Sequence, residues 1–68
     1  MRSLDAKELE ALKLFATGRT ADEMAIALSV SKSVAQHYVR VAARKLGARN
    51  RVNAVAIAVQ MGLIKLGG

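Results

Sequence analysis

The sequence predicts an all-α fold, a four-helix bundle without a sheet. Three observations carry this. Residues that cap helix starts stand at Asp5, Thr20, Ser31 and Asn50, each ahead of an apolar run at helical spacing. Glycines close three of those runs, at Gly18, Gly47 and Gly62. No segment alternates apolar and polar residues with period two, as a half-buried strand would. The 68 residues contain no repeat and no linker, so the expectation is one domain over 1–68 with its core in 4–64. A chain this short buries only about 60% of its unfolded surface, so its stability is marginal unless a partner helps.

The first helix opens on Leu4-Asp-Ala-Lys-Glu8. Asp5 caps, Glu8 reaches back, and Leu4 and Leu9 suit a hydrophobic staple. Leu9, Leu12, Phe15 and Ala16 make its inner stripe, which Gly18 ends. Thr20-Ala-Asp-Glu23 repeats the capping box before a helix of about two turns, with Met24, Ala25 and Leu28 inward. Ser29-Val-Ser31 breaks that helix, and Ser31 caps a long one from Lys32 to about Leu46. Ala35, Val39, Ala42 and Leu46 share its inner face, and Gly47 is its stop. Asn50 caps a fourth helix that runs to about Met61 and closes at Gly62. The last four residues, 65–68, are expected to fray. A short helix, a three-residue break and a long helix form a helix-turn-helix, packed crosswise through Met24, Ala25, Leu28, Ala35 and Val39.

Composition narrows the function. With no cysteine there is no disulfide or thiolate site, and one histidine is too few for an ordinary zinc site, so no metal and no cofactor are expected. The 53% hydrophobic content excludes a disordered tail. The longest apolar stretch, Val52 to Ile64, is shorter than the ~20 residues a bilayer span needs. No signal peptide opens the chain, so a soluble, intracellular domain is expected. Charge is unevenly placed: residues 1–30 carry net −1, while residues 31–68 carry seven bases and no acid. Such a half repels itself unless an anion relieves it. Nucleic acid is the commonest such anion and an anionic membrane the next.

On a helical wheel Ser33, His37, Arg40 and Arg44 share one stripe of the third helix, with Lys32 and Gln36 beside it. The stripe lies opposite Ala35, Val39, Ala42 and Leu46. It sets base-reading groups near the helix start (Lys32, Ser33, Gln36, His37) and cations for phosphates beyond. The phosphate set is Arg40, Arg44, Lys45, Arg49 and Arg51. Thr20, with Arg19, adds a contact at a helix N-terminus, although Asp22 and Glu23 weigh against it and capping competes for Thr20. His37 has no carboxylate after Glu23 in sequence to orient it, and there is neither a nucleophilic Cys nor a Gly-rich phosphate loop. An enzyme is not expected. Tyr38 is expected to pack its ring at the domain edge.

The fourth helix is apolar almost all round, and only Asn53 and Gln60 interrupt it. If Ala54, Val55 and Ala58 face the bundle, then Val52, Ala56 and Val59 point at least partly outward. A helix buried on two sides in so small a domain implies a partner. The expected interface is Val52, Asn53, Ala56, Val59 and Gln60.

Leu4 to Ile64 resembles the LuxR-type (GerE-like) helix-turn-helix domain, the DNA-binding end of many bacterial transcription regulators. The resemblance rests on Leu4-Asp-x-x-Glu8, Gly18-Arg-Thr-x-x-Glu23-Met-Ala, Leu28-x-Val-Ser31, Arg44-Lys-Leu-Gly-Ala-Arg-Asn-Arg51, Asn53-Ala-Val55 and Gly62-Leu-Ile64. It implies a four-helix bundle with its third helix in the major groove of double-stranded DNA. It also implies a homodimer through the fourth helix and a site in the bacterial cytoplasm, at the nucleoid. The start of the third helix departs from the pattern. Where the family usually has Ser-Glu-Lys-Thr-Val-Lys-Asn-His-Val, this chain has Ser31-Lys-Ser-Val-Ala-Gln-His-Tyr-Val39. Val34 could then touch a thymine methyl and Gln36 pair with adenine. Three further readings stand beside DNA binding. They are a LuxR-like chain that pairs with a related full-length regulator and blocks it, a basic helix on an anionic membrane, and a merely solvated basic face. Met1, one turn before the first helix, fits either a complete small protein or the end of a regulator with a receiver or ligand-sensing domain ahead of it.

Overall fold

The computed structural model describes residues 4–66. Four helices follow one another: α1 (Ala6–Ala16), α2 (Ala21–Leu28), α3 (Lys32–Lys45) and α4 (Arg51–Gln60). Of the tail expected to fray, residues 67 and 68 lie outside the described residues, as does Met1.

Each start is held as its cap residue requires. Asp5 donates its N–H to Glu8 Oε1 at 3.0 Å. Thr20 and Glu23 exchange bonds: the Thr20 N–H donates to Glu23 Oε1 at 2.8 Å and the Glu23 N–H to Thr20 Oγ1 at 3.1 Å. Ser31 Oγ accepts from the Val34 N–H at 3.2 Å and Asn50 Oδ1 from the Asn53 N–H at 2.7 Å. These bonds satisfy donors that a helix start leaves without an intrahelical partner.

All four helices end on the same pair of backward bonds, seen after α3 as Ala48 N–H to Ala43 O and Gly47 N–H to Arg44 O. The motif needs one left-handed residue. Gly47 supplies it at φ 71°, but after α2 the position is Ser29, at φ 57°. A side chain there costs about 1 kcal/mol, part of which a glycine returns as unfolded-state entropy. Ser29→Gly is expected to raise the thermal midpoint by about 2–4 °C, and Ser29→Val to lower it by more. A lower midpoint for the glycine variant would contradict this.

The core is built from small residues. Ala11, Ala35, Ala42, Ala54 and Ala58 have no exposed surface, and Leu12 and Val39 are the largest side chains fully inside. Met24, Leu28, Ala43 and Ile64 complete it. α3 packs on both α1 and α2, and α4 closes against α3 and α1. Tyr38 packs half-buried at the core's edge.

Among the described residues the core holds one buried charge, Glu8, 6% exposed. Its Oε1 accepts from Lys45 Nζ at 2.8 Å as well as from the Asp5 N–H. Burial pushes this carboxyl up. The Lys45 hydrogen bond and charge and the Asp5 N–H outweigh burial and hold it below its usual value. Lys7 Nζ reaches the Leu28 carbonyl at 3.0 Å and ties α1 to the end of α2.

Candidate nucleic-acid interface

The α2–α3 turn and the Ser31 cap present the first turns of α3 to solvent. Ser33, His37, Arg40 and Arg44 are all exposed along one side of the helix, opposite buried Ala35, Val39 and Ala42. At 1.5 Å per residue this stripe runs for roughly 16 Å, and a helix fits a major groove about 12 Å wide. Lys32 is exposed, and its Nζ lies 3.6 Å from Asp22 Oδ1 in a solvent-facing pair that opens at little cost. Val34 is 38% exposed beside them. Gln36 is half-buried, with one edge on a small cleft towards α2 and α4.

The expected phosphate set is divided by the structure. Arg40, Arg44, Arg49 and Arg51 are exposed. The Arg51 guanidinium sits over the Phe15 ring, 5.5 Å from its centre, which orients it. Lys45 is the correction. Its ammonium turns inward to Glu8, and its side chain is only 21% exposed. Glu8 and Lys45 are 37 residues apart, so the crossing of α1 and α3 sets this pair and no local spacing signals it. Thr20 is exposed, but its hydroxyl oxygen and N–H both serve the α2 cap. The Thr20 N–H holds the Glu23 carboxyl below its usual value, and the nearby Arg19 charge adds to the effect.

A second surface lies on α4. Val52 is 73% and Val59 39% exposed, and Ala56 and Gln60 are exposed with them. Ala54 and Ala58 are buried and Val55 is half-buried. With Phe15, Ala16 and Leu66 the valines and Ala56 wall an open apolar groove. Asn53 is half-buried, and its Oδ1 accepts the Arg49 N–H at 3.2 Å. Its side chain therefore helps shape the loop that carries Arg49. The apolar surface extends to Met61, 48% exposed, beyond the expected set.

Among the described residues no three His, Cys, Asp or Glu side chains gather where they could hold a metal ion. No helix among the described residues is long and apolar enough to cross a membrane.

The luxR family of bacterial regulatory proteins matches residues 2–58. The chain is 41% identical over 63 residues to the HTH-type quorum sensing-dependent transcriptional regulator RpaR of Rhodopseudomonas palustris, covering 93% of this chain and 26% of that protein. It is 39% identical over 59 residues to the response regulator RamR of Streptomyces coelicolor, covering 87% and 29%. It is 36% identical over 58 residues to the transcriptional activator protein PhzR of Pseudomonas fluorescens, covering 85% and 24%. The chain thus spans about a quarter of the length of these relatives.

Proposed function

The chain belongs to the luxR family of bacterial regulatory proteins, a family of DNA-binding transcription regulators, and we propose that it reads specific double-stranded DNA sites as a homodimer. In this reading α3 enters the major groove. Lys32, Ser33, Gln36 and His37 meet base edges, and Arg40, Arg44, Arg49 and Arg51 hold phosphates. The observation that carries it is the exposed α3 stripe, where Ser33 and His37 lead two arginines on a face that holds no acid. The exposed Val52, Ala56 and Val59 support pairing of two copies through α4, with Gln60 at its edge. Two paired chains would set two copies of α3 against a two-fold site, with half-sites about 34 Å apart when they lie one helical turn apart.

Base and phosphate contacts separate by experiment. Gln36→Ala and His37→Ala are expected to change the preferred site, by ~1–3 kcal/mol for each lost base contact. Arg49→Ala should weaken all duplexes alike and flatten the salt slope by about one unit. Site selection from a random pool checks this, and an unchanged preference in both the Gln36 and His37 variants refutes the base-reading set. The rewritten Ser33–Tyr38 segment, together with the apolar α4 face, favours one second reading: a chain that pairs with a related full-length regulator and blocks it. A stable complex with such a regulator, without duplex binding, would identify it.

A further inference from the structure

We infer that Arg19 and Arg51 form a clamp for a single phosphate of the DNA backbone, at a cleft where all four helices and the α1–α2 turn meet. The inference rests on the DNA-binding reading above and adds to it a residue, Arg19, and a geometry. The cleft, about 150 Å³, is lined by Phe15, Arg19, Met24, Gln36, Val39 and Arg51, with Ala21 at its edge. Arg19 comes from the turn before α2, and Arg51 from the first residue of α4. They are 32 positions apart in sequence and reach one opening only because α3 packs between these elements.

The chemistry of the cleft suits an oxyanion. Its floor is apolar, and two guanidiniums and one carboxamide supply its polar groups. Neither arginine forms an ion pair among the described residues. The Arg19 charge acts on Glu23, whose carboxylate is held by the Thr20 N–H at 2.8 Å. Arg51 is steadied by Phe15 and keeps its N–H edge for a ligand. Two guanidiniums beside an apolar floor bind a phosphate more tightly than one in open water, because the floor lowers the local dielectric. Gln36 joins this cleft to the α3 stripe. A phosphate seated here would therefore lie directly beside the base-reading surface and fix the register of α3 in the groove.

A shared phosphate leaves a signature that independent contacts lack. Duplex affinity would be measured by fluorescence anisotropy on a random-sequence duplex across a salt series, for the wild-type chain, Arg19→Ala, Arg51→Ala and the double variant. A thermal melt of each confirms folding, and Arg51→Lys keeps the charge if loss of the Phe15 contact disturbs α4. If one phosphate is shared, either single variant weakens binding several-fold while its slope stays near the wild-type value. The double variant then loses about one slope unit. The clamp is overturned if each single variant loses about one unit and the double about two, which means two separate phosphates. It is also overturned if Arg19→Ala changes nothing. Failure of the wild-type chain to bind at low salt would instead overturn the DNA-binding reading itself.

Discussion

Arg40→Glu combined with Arg44→Glu is expected to lower duplex affinity at least ~100-fold at moderate salt and to flatten the salt slope by about two units. Both side chains are exposed on the α3 face that leads away from the core. Each is placed to neutralise one phosphate as α3 lies in the groove. Replacement removes two released counterions and sets two negative charges against the backbone. The fold should tolerate the change. Neither arginine has an ion-pair partner among the described residues, and an acid near a helix C-terminus costs under about 1 kcal/mol. Anisotropy titration with a parallel thermal melt separates the two effects. A folded double variant that binds DNA like the wild type would remove α3 from the interface.

The second large effect is on stability. Glu8→Gln is expected to destabilise the domain by about 2–3 kcal/mol at pH 7. The change weakens the reach-back to Asp5 and removes the Glu8 charge from beside the Lys45 ammonium, which is largely turned away from water. A 68-residue domain has on the order of 3–10 kcal/mol in total, so the loss should appear as a large fall in the denaturation midpoint. The effect depends on pH with a definite sign. The folded carboxyl titrates below its ordinary value of 4.5. Its contribution is therefore complete above that value and fades as the pH falls through the lower folded value. The gap between wild type and variant should be constant near neutrality and narrow on acidification below about pH 4. Chemical denaturation at pH 7 and pH 3.5 tests this, and a gap that widens in acid would contradict it.

The local features of this fold were legible because they are written at short spacing. Thr20 with Glu23, Ser31 ahead of Val34, and Asn50 ahead of Asn53 each act within three residues, and the structure bears them out. The outward stripe of α3 followed from helical period alone. Features set by the crossing of elements were not legible. Lys45 lies next to Arg44 in sequence and seemed equally available for phosphate, yet the α1–α3 crossing brings it to Glu8. Ala11 and Ala43 carry too little apolar signal to mark them as core, and they are buried because the helices approach closely. Ile64 follows the α4 stop and enters the core only because the Leu63 N–H turns back to the Ala58 carbonyl. Arg19 reads as a phosphate contact beside Thr20, but its convergence with Arg51 on one cleft shows only once α3 is packed between them.

DNA binding by this chain is tested by equilibrium titration of the wild type with random duplex DNA across a salt series, with sedimentation of the same sample to fix its oligomeric state. The expected result is a dimer whose affinity falls steeply with salt, with a slope near −3.5 per chain. That value comes from phosphates at Arg40, Arg44, Arg49 and the shared Arg19–Arg51 cleft, at about 0.9 for each phosphate. A folded chain that binds no duplex at low salt, or binds without salt dependence, would contradict it and turn the helix-turn-helix over to protein contacts through α4.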